Sequence, residues 1–99
     1  MTIGFCRVQL HLPENQSLKG KRQVIKSLIA RIHNRFNVSV AEIDEHERWQ
    51  MTSIGISCVS TSGQHAHQIL STVVGFIQKE RLDAELVDYE IEIIQALSD

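Results

Sequence analysis

Proline occurs once in this chain, cysteine twice, and aromatic residues make up only 5% of it. Each scarcity excludes something. Cys6 and Cys58 give neither a disulfide framework nor a CxxC pair, and both fall in apolar strand-like runs, where a free thiol behaves as a small hydrophobe. No segment approaches the roughly 18 uninterrupted apolar residues of a membrane span. Met1 to Arg7 lack the charged start and apolar stretch of a secretion signal, so a cytoplasmic protein is expected. The 99 residues fit one domain over 1–99 and leave no room for a second independent core.

Several chemistries fail for want of a residue. Gly20-Lys21-Arg22 lacks both the earlier glycine and the Ser or Thr after the lysine that a phosphate loop needs. Gly55-Ile56-Ser57-Cys58-Val59 lacks the closing glycine of a nucleophile elbow and lies within a strand pattern. A small phosphatase of the acylphosphatase type would need an anion cradle after its first strand, yet Leu12 to Ser17 holds no Gly and no Arg. Among the five histidines, His65 and His67 sit about 200° apart on a helix and no third ligand converges on them. No catalytic residue, metal site or cofactor is expected.

What is present is periodicity. Residues 2–12 alternate, with Cys6, Val8, Leu10 and Leu12 on one side, and Pro13 ends the strand. Glu14 to Gln16 form a connection and Ser17 is a fitting N-cap. From Leu18 to Arg35 the period becomes helical, with Leu18, Ile25, Leu28, Ile29, Ile32 and Phe36 on one arc. A second strand is read over Val38 to Ile43, a charged hairpin loop over Asp44 to Gln50, and a third strand over Met51 to Ser60 with Ile54, Ile56 and Cys58 inward. Trp49 beside that loop either packs under it or anchors a partner.

A second helix runs from Gln64 to Glu80 on Ala66, Ile69, Leu70, Val73 and Ile77, with Gly75 roughly opposite. The last strand, Glu85 to Gln95, sends Val87, Tyr89, Ile91 and Ile93 one way and Asp88, Glu90 and Glu92 the other. The order β-α-β-β-α-β specifies an α/β (α+β) fold of the ferredoxin-like, split βαβ kind: a four-stranded antiparallel sheet of order 4-1-3-2 with two helices on one face. Strand four should lie antiparallel to strand one and set Arg7 opposite Glu90, or one slip away at Asp88 or Glu92. Parallel alignment of strands one and three separates Cys6 from Cys58 by roughly 10 Å, beyond disulfide reach. The free sheet face should carry Ile3, Phe5, Ala41, Ile43, Val59 and Leu86, a patch large enough to expect a second copy against it.

Charge is distributed unevenly. Residues 1–35 hold seven Lys or Arg against Glu14 alone, a balance of +6, whereas residues 36–99 hold three against eleven acids, a balance of −8. Leu18 to Phe36 contains no acid at all, although a solvated helix usually mixes signs for i,i+4 pairing. Taking Ile25 as zero, Arg22, His33, Lys26 and Lys19 fall at about 60–120°, while Arg31 and Arg35 fall at about 240–280°; Lys21 projects from the first turn. These charges are either a polyanion-binding surface or solvated flanks.

The residues also carry a resemblance. Gly4-Phe5-Cys6-Arg7, Pro13, Ser17-Leu18-Lys19-Gly20-Lys21-Arg22, Lys26-Ser27-Leu28, the run Arg35 to Glu42, Trp49-Gln50 and Val59-Ser60 resemble the YlxP-like family, a bacterial domain-of-unknown-function family of about this length. The resemblance implies a ferredoxin-like fold and no established catalytic residues. Many members are encoded beside transcription–translation factors and a ribosome-binding factor, which implies work near RNA or ribosome maturation. The leading expectation is therefore a non-enzymatic ribosome- or RNA-associated accessory protein, with Lys19, Lys21, Arg22 and Lys26 as the nucleic-acid-binding residues. The alternative is a homo-oligomeric protein-interaction domain or small-ligand sensor that uses the free sheet face. An RNA-stacking sheet is disfavoured, because strand three offers Ser53, Gly55 and Ser57 beside Phe5.

Overall fold

A computed structural model describes residues 1–12, 17–46, 50–80 and 84–97, the side chains of 44–46 excepted. Pro13, Glu14 to Gln16, and the loop residues Glu47, Arg48 and Trp49 lie outside the described residues. The elements run β1 (Thr2–His11), α1 (Leu18–Arg35), β2 (Ser39–His46), β3 (Met51–Ser60), α2 (Gly63–Lys79) and β4 (Glu85–Gln95). The sheet order is β2-β3-β1-β4 with every neighbour antiparallel, the ferredoxin-like arrangement expected from the periodicities. No helix among the described residues is long and apolar enough to cross a membrane.

The alternation of β1 makes the core. Cys6, Val8 and Leu10 are fully buried and meet Ile54 and Ile56 of β3, Ile25, Leu28 and Ile32 of α1, and Ala66, Leu70, Val73, Val74 and Ile77 of α2. Both helices therefore cover one face of the sheet. Each starts on a serine cap: Ser17 Oγ accepts from Gly20 N–H at 3.1 Å, and Ser62 Oγ accepts from His65 N–H at 3.2 Å. α2 sits close on the sheet at Gly4, where a Cβ would lie 2.9 Å from Leu70 Cδ1 and 3.1 Å from Ala66 Cβ. The absent side chain is what lets the helix rest there.

Four expectations need correction. β1 and β3 are antiparallel, with Gly4 opposite Cys58 and Cys6 opposite Ile56. The β2–β3 hairpin reverses the chain, so a β3 inserted between β1 and β2 must oppose both. The parallel alignment that separated the two cysteines is thus overturned, and they are free thiols two register positions apart. In β4, Leu86 pairs with Leu10 and Asp88 with Gln9, a bulge that leaves one extra residue. The bulge turns Leu86 onto the core and leaves Val87 54% exposed, the reverse of the simple alternation. β2 continues to His46, past the expected end at Ile43, with its own irregularity between Glu42 and Asp44. Leu18 shares the core arc of α1 but is 44% exposed, because side chains tilt toward the helix N-terminus and the first one overshoots the core.

Candidate nucleic-acid interface

α1 carries its cations on two flanks, and the fold gives the flanks different work. On the α2 side, Arg31 Nη1 donates to Glu80 Oε2 at 2.6 Å, and the Arg35 guanidinium lies 5.2 Å from the centroid of the Phe76 ring. Phe36 meets the same ring edge-on at 5.4 Å. These contacts clamp the C-terminal end of α1 to that of α2, and the Arg31 and Arg35 charges are spent within the molecule.

The opposite flank points away from α2, over the edge strand β2. There Lys19, Arg22, Lys26 and His33 are exposed, while Lys21, at about 320° on the same wheel, lies by the core arc of the first turn and is half-buried. Arg22 also takes part in an interaction within the chain. The amide groups of the first turn and the aligned peptide dipoles add partial positive charge at the same end, and no acid occupies that turn. The structure thus brings the four sequence-predicted residues onto one end of one helix. On β2, Glu42 is exposed and its carboxylate accepts from Thr52 Oγ1 at 2.9 Å.

The family described as "Protein of unknown function (DUF503)" matches residues 3–91. The chain belongs to that family. It is 41% identical over 75 residues to "Uncharacterized protein YlxP" of Bacillus subtilis (strain 168), a match covering 76% of this chain and 82% of that protein. The solved structure of the de novo designed protein Ferredog-Diesel covers 93% of the chain and 84% of its own at 10% identity with a TM-score of 0.42, a likeness too loose to bear weight. The DUF503 match spans all of α1 and its flanks.

One further cluster in this DUF503 domain was not visible in the sequence. Ser60 Oγ and His65 Nδ1 lie 2.7 Å apart, and Ser60 Oγ also accepts from Ser62 N–H at 3.4 Å. A hydroxyl engaged in this way closes the β3–α2 turn ahead of the Ser62 cap. Arg7 forms an exposed ion pair with Glu90, directly opposite it in register, which bears out the cross-strand pairing and gives Arg7 a partner within the sheet. The Cys6 thiol is fully buried and burial pushes its pKa up to about 11, so the thiolate needed for redox or metal chemistry is suppressed.

Proposed function

We propose that this domain is a non-enzymatic, cytoplasmic accessory module that binds structured RNA, such as the surface of a ribosomal particle, through the N-terminal half of α1. The supporting observation is the division of labour on that helix. Arg31 and Arg35 are engaged by α2, whereas Lys19 and Lys26 are exposed on the other flank beside a capped helix start with no acid in its first turn; Arg22, which also makes a contact within the chain, and the half-buried Lys21 lie at the same end. An exposed lysine on such a flank is a point charge suited to phosphate and carries no base-reading geometry. The reading is therefore of shape and backbone recognition, with little affinity for random duplex DNA given a whole-chain charge of −2. Self-association, the competing use of the domain, would engage the opposite side of the sheet and leave α1 exposed.

Co-sedimentation with purified ribosomal subunits across a salt series tests the proposal. Three or four phosphate contacts imply a slope of about −2 to −4 in log K against log salt. The double reversal Lys19→Glu/Lys26→Glu should abolish binding with an unchanged circular dichroism spectrum, since both side chains are exposed and off the core arc. Failure of the wild-type protein to bind subunits or ribosomal RNA at about 50 mM salt would remove the proposal and leave the stripe a solvated flank.

A further inference from the structure

The cationic flank of α1 ends beside an unclosed corner of the sheet. Leu12 N–H donates to Gln50 C=O across the β1–β3 register. Even-numbered residues of β3 therefore turn their backbone groups toward β1, and Ser57 and Val59 turn theirs toward β2. Ser57 has Ser39 opposite it, but β2 starts at Ser39, so the N–H and C=O of Val59 face no strand residue among those described. Asn37 and Val38 carry the chain from α1 into β2 past this gap. The result is an open notch of about 470 Å³ lined by His33, Asn37, Ser39, Ser57 and Val59, with the nearly buried Cys58 behind them. His33, Asn37 and Ser39 are exposed. His33 is also the last member of the stripe that holds Lys19, Arg22 and Lys26.

We infer that this notch seats one unpaired nucleobase of an RNA whose phosphates lie along α1. The inference rests on the proposed RNA contact and adds a base-reading site to it. Val59 offers one donor and one acceptor side by side, and the edge of an unstacked base presents donors and acceptors at similarly close spacing. The His33 imidazole supplies a planar surface for stacking, and Asn37, Ser39 and Ser57 supply side-chain donors and acceptors for the remaining edge atoms. An added peptide strand is a poorer occupant. It needs backbone groups at successive outward positions, yet β2 already pairs Gly55 and Ser57, and β3 ends at Ser60. Only Val59 is left, and a single planar group fits where a strand does not. Charge argues the same way. His33 lies about 10.5 Å along the helix axis from Lys26, at 1.5 Å per residue, so a strand held by its base in the notch carries its phosphates back along the cationic flank. The bases of a duplex are paired and stacked, which narrows the RNA to a loop, bulge or single-stranded end.

Fluorescence anisotropy at about 50 mM salt provides the test, with a labelled single-stranded RNA octamer in which each base occurs twice and an abasic octamer of the same ribose–phosphate backbone. The wild-type protein should bind the octamer at least about fivefold tighter than its abasic analogue, the scale of one stacked base. His33→Ala, at an exposed position off the core arc, should remove that difference and leave binding of the abasic strand unchanged; Asn37→Ala provides a second variant should the first prove unstable. The Val59 amide resonance should shift with the octamer and stay in place with the abasic strand. Lys19→Glu/Lys26→Glu should abolish binding of both strands, so loss of the base contact and loss of the phosphate contacts are separately readable. Equal affinity for the two strands, or an unmoved Val59 amide, overturns the notch and leaves the phosphate contacts standing. Failure of both strands to bind a protein that still binds ribosomal subunits does the same. Nucleoside 5′-monophosphates that shift Val59 as tightly as the octamer, in the double-reversal variant as in wild type, would assign the notch to a free nucleotide and overturn its place in RNA binding.

Discussion

The same chemical change, one methyl group added to a glycine, should have opposite effects at two positions. Gly75 lies in α2 with nothing within 4 Å of where its Cβ would be. Alanine there adds no clash and recovers about 0.8–1 kcal/mol of helix propensity. Gly4 lies in β1 beneath α2, and its added Cβ would fall 2.9, 3.1 and 3.2 Å from Leu70 Cδ1, Ala66 Cβ and Cys58 Sγ. Leu70 and Ala66 are fully buried and Cys58 nearly so, which leaves little room to retreat. Overpacking of this kind costs about 1–3 kcal/mol, against about 0.5–1 kcal/mol recovered by replacing a strand glycine. The net loss at position 4 is about 0.5–2 kcal/mol. Urea denaturation with an unchanged m-value should place the midpoint of Gly75→Ala above and that of Gly4→Ala below wild type. In thermal melts each kcal/mol corresponds to about 4–8 °C for a domain of this size. A Gly4→Ala protein as stable as Gly75→Ala would refute the close seating of α2 on β1.

Arg7 and Glu90 have side chains 48% and 68% exposed, so a double-mutant cycle to alanine should give a coupling of only about 0.2–1 kcal/mol, shrinking with added salt; a coupling above about 2 kcal/mol would show a buried network instead. The Cys6 thiol, held near 11 by burial, ionises in the unfolded chain at about 8.5. Above that pH the unfolded state sheds a proton that the native state keeps, so Cys6 favours unfolding progressively as pH rises from about 8.5 toward 11. Stability of the wild-type protein should fall over this window more steeply than that of Cys6→Ala at equal ionic strength, and parallel profiles would dismiss the effect. Neither Cys6 nor Cys58 should react with a thiol reagent at pH 8 until the chain is unfolded.

The parts of this fold that were legible in the sequence are those in which one period runs without interruption. The strict alternation from Cys6 to Leu12 and the helical arc from Ile25 to Ile32 gave the elements, the core and the Arg7–Glu90 register. The bulges broke that legibility. In β4 the extra residue carries no glycine to announce it, so Leu86 and Val87 exchanged faces without a compositional trace. The candidate site was legible only in part for a related reason. The sequence shows that α1 is basic throughout, but which flank meets α2 depends on a neighbour far along the chain. Glu80 and Phe76 answer that question, and nothing near Arg31 or Arg35 does.

The clamp between the two helices sits wholly at one end. Arg31, Arg35 and Phe36 tie α1 to α2, the buried residues of α1 begin only at Ile25, and Leu18 is left in solvent. The first two turns of α1 bury no side chain completely; this ledge is capped by Ser17 and tied in part by Arg22 and Val24, with openings that need cost less than global unfolding. Amide protection should climb along the helix from Lys21 toward Arg35. Any partner that settles on the lysines at that ledge quiets the segment as it binds, and the lost motion is set against its affinity. Under the proposed RNA contact, such a surface trades tightness for quick release.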